Sequence, residues 1–180
     1  MKIFGIDPGS DRTGYGCIER VGRRQYLVIC GSLSGSPRAS FPDKLKAIHE
    51  GLVSLLARHR PDCVAVENIF HARNVRSALK LGHARGVALL SASEAGLPIA
   101  EYTPAEIKRA VVGYGRAEKH QVQQMVKLLL GLDAPPSPHD VADALAVAIC
   151  HMQNASGPLV ARIRAQPPAS PLRSWRDYRP

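Results

Sequence analysis

Residues 2–7, Lys2-Ile3-Phe4-Gly5-Ile6-Asp7, are mostly apolar and are broken by Pro8-Gly9-Ser10, which predicts a strand that ends at the acid. Thr13–Arg20 and Gln25–Leu33 carry β-branched and aromatic residues on either side of the turn Val21-Gly22-Arg23-Arg24. Three consecutive strands with short turns predict an antiparallel meander. Ser34–Pro42, rich in Gly, Ser and Pro, predicts a loop. Leu45, Ile48, Leu52, Leu55 and Leu56 then recur at helical spacing and close at Pro61.

The period changes beyond that point. Cys63-Val64-Ala65-Val66 is a short continuous apolar run, the pattern of a strand buried on both faces. Val75–Ser93 predicts a long helix and Leu97–Tyr102 the next strand. Thr103-Pro104-Ala105-Glu106 reads as a capping box with Pro at the first helical position, and this accounts for Glu106 without chemistry. Gly113-Tyr114-Gly115 interrupts, a helix resumes over Glu118–Leu130, and Ser137-Pro138-His139-Asp140 opens a last helix that runs to about Met152. A meander followed by strands alternating with helices predicts an α/β mixed sheet. Residues 153–180 hold five prolines and little apolar periodicity, so the chain divides into a folded domain, 1–152, and a disordered tail, 153–180.

Composition changes this picture in one respect. At 180 residues and 45% hydrophobic, the chain can bury one core without staples, but its net charge is +9. Such an excess points to a polyanionic partner, nucleic acid first, against the plainer alternative of a solvated basic surface. The tail contributes Arg162, Arg164, Arg173, Arg176 and Arg179 against Asp177 alone. Cys17, Cys30, Cys63 and Cys150 form no C-x-x-C pair, which indicates neither zinc nor dithiol chemistry, and each reads as a small buried thiol. No apolar h-region precedes a small-residue cleavage site. No uncharged apolar run approaches the roughly 18 residues of a membrane span. The expected compartment is a reducing cytoplasm.

The acids are the candidate chemistry. Asp7 and Glu67 each close a predicted strand, and sites in open α/β sheets form at the carboxyl ends of strands. Asp140 and Asp143 lie three apart on the last helix and share a face. Four carboxylates from three elements can meet at one point, where their repulsion calls for a hard cation such as Mg²⁺. Two such ions about 4 Å apart can activate a water and stabilise the leaving oxygen of a phosphodiester. Each acid also has a plainer role: Asp7 as a turn former, Glu67 as a strand end, Asp140 as the far half of a capping box from Ser137, Asp143 as a solvated helix residue. Small apolar residues (Ala142, Ala144, Leu145, Ala146, Val147) surround Asp143, which argues against the last of these, because buried acids are rare without a partner.

Gly5-Ile6-Asp7-Pro8-Gly9 with Thr13-Gly14-Tyr15-Gly16, then Val66-Glu67-Asn68-Ile69-Phe70, resembles the RuvC family of bacterial junction resolvases. So do Ser77–Gly82 with Ala84-Arg85-Gly86, Tyr102-Thr103-Pro104, Lys108 with Val111-Val112-Gly113, Ala117-Glu118-Lys119, and Asp140–Ala146. These blocks run in family order from residue 3 to residue 151; the tail lies outside the resemblance. It implies an RNase H-like fold, with a five-stranded mixed sheet (antiparallel meander plus parallel strands) flanked by helices. It also implies a Mg²⁺-dependent endonuclease that resolves Holliday junctions by paired, symmetric cuts in recombination and repair. Catalysis and metal binding by Asp7, Glu67, Asp140 and Asp143 are implied, with two Mg²⁺ per site and Mn²⁺ as a substitute. Further implications are a homodimer and a partner branch-migration helicase complex.

Some relatives carry histidine where Asp140 stands, and here His139 precedes that acid; the choice between a ligand and a solvent-facing residue stays open. Phe70 matches the family's base-stacking position, worth on the order of 1–3 kcal/mol, with a core phenylalanine as the alternative. Arg73 and Arg76 are spaced for phosphate contact. Lys108 and Lys119 match basic residues near the family's active site. An actin-like ATPase or sugar kinase would share the glycine-flanked Asp7 but needs a second, similar domain, and the chain has no internal repeat. A non-catalytic junction-binding module is expected to have lost an acid, and none is missing.

Overall fold

A computed structural model describes residues 1–68 and 74–155. Its strands are β1 (Lys2–Asp7), β2 (Thr13–Val21), β3 (Arg24–Leu33), β4 (Cys63–Glu67) and β5 (Ile99–Tyr102). Its helices are α1 (Phe41–His59), α2 (Val75–Glu94), α3 (Pro104–Val112), α4 (Lys119–Leu130) and α5 (His139–Asn154). The strands form one sheet in the order β3-β2-β1-β4-β5. β3, β2 and β1 pair antiparallel, whereas β1–β4 and β4–β5 pair parallel. The expected meander plus parallel strands is thus present, with β1 at its centre.

The pleat sorts the core into two layers. Ile3, Ile18, Cys63 and Ala65 pack with Ile107 and Val111 of α3, Val122, Val126 and Leu130 of α4, and the apolar positions of α5. Phe4, Ile6, Cys17, Val64 and Val66 point the other way, onto Ile48, Leu52 and Leu56 of α1 and Ala88 and Ala92 of α2. Because side chains alternate along a strand, Asp7 and Glu67 both continue the row that faces α5.

Helix α5 is the centrepiece of its layer. From Val141 to Met152 every residue except Asp143 and His151 is buried, and burying a side chain such as Leu145 or Ile149 stabilises the fold by about 1.5–3 kcal/mol. The helix can lie this close because glycines face it. A Cβ at Gly5 would overlap the Ala144 carbonyl oxygen, and one at Gly14 would overlap that of Asp140.

Several boundaries move for local reasons. Ser40 caps α1 by accepting from the Asp43 amide at 3.3 Å, with Pro42 in the first turn, so the helix begins inside the predicted loop. Arg60, at φ 45°, ends it just before Pro61. β5 starts at Ile99, after Pro98, which has no amide to donate to a ladder. The Thr103–Glu106 capping box forms as predicted. The one offered for Ser137 and Asp140 does not: the N-cap of α5 is Pro138 and no side chain caps it, so Asp140 is left for another role. A bulge between Cys17 and Ile18 shifts the β2–β3 register. Cys30 is only partly buried, against the expectation that all four thiols are buried, because it sits on edge strand β3. α5 ends at Asn154, two residues past the predicted Met152, so Gln153 and Asn154, assigned by the sequence to the disordered tail, continue the helix; residues 156–180 lie outside the described residues.

Replacing Gly5 by Ala should lift α5 from the sheet, because the obstacle is backbone, and overpacking of this kind costs about 1–3 kcal/mol. Gly16→Ala should cost less, since its nearest neighbour is the Leu145 side chain, with Cδ2 at 2.5 Å, and a buried side chain gives way more readily than a helix carbonyl. Urea unfolding followed by circular dichroism checks the ranking, and equal stability of the two variants would refute this account of the seat.

Candidate active site

The carboxyl ends of β1 and β4 lie side by side because Ile6 pairs with Val66. Asp7 and Glu67 follow that pair directly. α5 starts above the same edge, with Gly14 of β2 seated against Asp140, which brings Asp140 and, one turn on, Asp143 into the same space. All four acids line one cavity of about 350 Å³, together with Pro8, Gly9, Arg12, Pro104, Ile107, Lys108, Lys119 and Val122. Three elements distant in sequence converge as the sequence reading requires.

The electrostatics are those of acids crowded without enough water. Burial pushes the Asp7 carboxyl up to about 9, with Glu67, Asp143 and Asp140 adding repulsion. A side-chain hydrogen bond between Asp7 and Glu67 raises the first and lowers the second. Glu67 is raised by burial as well, its bond from Asp7 and the charges of Lys119 and Lys108 pulling the other way. Asp143 is raised by burial and held back by Lys119, whose Nζ stands 3.6 Å from its Oδ2. Both acids of α5 also lie in its first turns, where the helix dipole favours negative charge.

Among the described residues, no three His, Cys, Asp or Glu side chains are already set in a metal-holding arrangement; the acids are engaged with each other and with Lys119 instead. Their donor set nevertheless fits a hard divalent cation, being all oxygen, half-buried and mutually repulsive. Lys108 comes from α3 and Lys119 from the first residue of α4, where the Gln121 side chain accepts from the Glu118 amide at 2.9 Å.

The remaining candidates divide. His139, the first residue of α5, is exposed and does not line the cavity, although its charge reaches Asp143. Arg76, at the start of α2, is exposed and also off the cavity. Phe70 and Arg73 lie outside the described residues. Arg12 was missed by the sequence reading, although it stands in the same short turn as Asp7 and carries the charge that a nucleic-acid site favours.

The family model for crossover junction endodeoxyribonuclease RuvC matches residues 3–151. A crossover junction endodeoxyribonuclease RuvC from Desulforamulus reducens is 52% identical over 153 residues, covering 85% of this chain and 94% of the relative. In three dimensions the chain is similar to T. thermophilus RuvC, solved in complex with a Holliday junction substrate. That match has a TM-score of 0.81 and 38% identity, covering 86% of this chain and 94% of the other. The yeast mitochondrial Holliday junction resolvase Ydc2 shares only 15% identity over 84% of this chain and 78% of its own, but its TM-score of 0.56 shows the same RNase H-like fold. With the model spanning nearly the whole described domain and the acids at one point, the chain belongs to the RuvC family of crossover junction endodeoxyribonucleases.

Proposed function

We propose that this protein resolves Holliday junctions by paired, symmetric, Mg²⁺-dependent hydrolysis of phosphodiesters during recombination and DNA repair. The observation that carries this reading is the convergence of Asp7, Glu67, Asp140 and Asp143 on one cavity rimmed by Lys108 and Lys119, in a chain of this family. Asp7, Glu67, Asp140 and Asp143 would hold the metal; Mg²⁺ fits their oxygens, two ions suit four acids, and Mn²⁺ is the expected substitute. When bound, the cation supplies Lewis-acid polarisation of the phosphodiester and a nucleophile at neutral pH.

The chain's own residues do the rest. Asp7 and Glu67, fixed by adjacent strand ends, set where the cleaved bond must lie. Asp143 holds Lys119 at the rim, where its ammonium binds a phosphate oxygen and offsets charge that develops during cleavage. Lys108 does the same from α3. The wall of Pro104, Ile107 and Val122 limits water around the acids. Arg76, Arg73 and Phe70 are assigned to junction arms and crossover bases.

Two symmetric cuts need two sites, which supports a homodimer. Helix α2 offers a seam for one: Val75, Leu79, Gly82, Gly86 and Leu90 follow one another at three- and four-residue spacing. Val75 is 76% and Leu79 60% exposed, and open space faces both glycines. The family resemblance adds a branch-migration helicase complex as partner. The widely spaced cysteines, with no C-x-x-C pair, suit a reducing compartment, and the cytoplasm is the proposed location.

Asp7→Asn should bind a synthetic four-way junction yet lose cleavage by a factor of about 10²–10³, the scale of losing one group that stabilises transition-state charge, here the cation that Asp7 would hold. Gel-shift and nicking assays on a junction, a linear duplex and an RNA–DNA hybrid, with and without Mg²⁺, measure this. Wild-type cutting by Asp7→Asn, or no cutting of the junction by the wild type, would sink the reading. Leu79→Glu should convert dimer to monomer in sedimentation equilibrium; a variant that stays dimeric moves the seam elsewhere.

The raised acids also set a pH dependence. Because the folded values of Asp7, Glu67 and Asp143 lie above their ordinary ones, the folded chain binds more protons than the unfolded chain, and stability falls as pH rises. Without divalent metal, the melting temperature should therefore decline between about pH 4 and the Asp7 value of about 9. Mg²⁺ should restore most at the upper end, and Asp7→Asn should flatten the decline. A melting temperature that rises through this window in calorimetry would contradict the raised values of the three acids.

A further inference from the structure

The turn between β1 and β2 carries a cation that the reading above leaves without a task. Arg12 lines the same cavity as the four acids, and it is exposed. An arginine beside so many carboxylates would ordinarily be paired with one of them. Among the described residues Arg12 forms no ion pair: its neighbour Asp11 is taken by Lys44 at 2.9 Å, and Asp143 faces Lys119 at 3.6 Å.

The backbone beneath Arg12 is held firmly. The hydroxyl of Thr13, a fully buried residue, donates to the Gly9 carbonyl at 3.1 Å and accepts from the Gly9 amide at 3.4 Å. Gly9 lies so close to the Arg12 carbonyl that a Cβ there would overlap it. The turn is thus held beside Asp7, with Arg12 exposed and part of the cavity's lining.

We propose that Arg12 binds a phosphate of the entering DNA strand, next to the phosphate that is cut, and acts as a positioning residue. A strand of phosphates approaches four acids only where rim cations neutralise its other charges. Lys108 and Lys119 supply such cations from α3 and α4, and Arg12 supplies one from a separate element, the β1–β2 turn. Its planar fork can grip two oxygens of one phosphate, which fixes orientation as well as charge. Held this way, the strand is docked in register with Asp7, and Arg12 itself touches no reacting atom.

This inference rests on the nuclease reading, and the experiment separates the two. Arg12→Gln and Arg12→Lys are compared with the wild type and with Arg23→Gln, which removes the same charge from the β2–β3 turn at the opposite end of the sheet. Junction binding is titrated against salt without divalent metal, followed by cleavage kinetics with Mg²⁺ and a melting curve for each variant. Arg12→Gln should flatten the log–log salt slope by about 0.9, the value for one lost phosphate contact. Its deficit against the wild type should therefore narrow about threefold between about 50 and about 200 mM salt. KM should rise while kcat stays within about twofold of the wild type. Arg12→Lys should keep the wild-type slope, Arg23→Gln should match the wild type throughout, and no melting temperature should move. An unaltered slope in Arg12→Gln overturns the assignment, as does an equal flattening in Arg23→Gln or a lowered melting temperature in its place. Failure of the wild type to cut the junction would instead overturn the nuclease reading, whatever Arg12 does.

Discussion

The structure depends on one close approach, that of α5 to the backbone of β1 and β2. Gly5 and Gly14 leave no side chain between helix and sheet, and the Ala144 and Asp140 carbonyls occupy the space a Cβ would take. This contact does two things at once. It closes the core on one face of the sheet, through Leu145 and Ile149, and it carries the start of the helix over the strand ends where Asp7 and Glu67 emerge. Stability and site geometry therefore share the same atoms, and neither can be altered at that seat without the other.

The assembly brings together groups that resist being together. Asp7 and Glu67 share a hydrogen bond, Asp143 is half-buried, and burial raises all three above their ordinary values. Such a cluster is a cost to the folded chain, tolerated where charge is to be met by a cation and a phosphate. The lysines at the rim offset part of it. Lys119 lies largely in solvent, so its pairing with Asp143 contributes little to stability and more to where a phosphate would find positive charge.

Much of this was legible in the residues. The alternation along 2–7 and the run at 63–66 located the two strands that end in acids, and the Thr103–Glu106 box located α3 because cap chemistry is local. What the sequence reading missed was decided by contacts between distant segments. The β2–β3 bulge and the part-exposed Cys30 depend on which strand lies at the sheet's edge, and nothing near Cys30 in the chain specifies that. Asp140 looked like half of a capping box because Ser137 stands three before it, yet the tertiary position of α5 directs that acid into the cavity. Arg12 was passed over because a basic turn residue is ordinary until its turn is seen to border the acids. The family resemblance supplied the expectation of a joint role for the four acids; pattern alone left each with a plainer explanation.

The parallel pairing of β1 with β4 has a consequence for how such a chain can vary. Ile6 opposite Val66 places each acid on the α5 side by parity, one step past an inward residue. An insertion or deletion of one residue in either strand would turn its acid to the α1 and α2 side. The hairpin at Gly22-Arg23, at the other end of the meander, carries no such parity. Length changes in descendants of this sequence should accumulate there and be purged from residues 3–7 and 63–67.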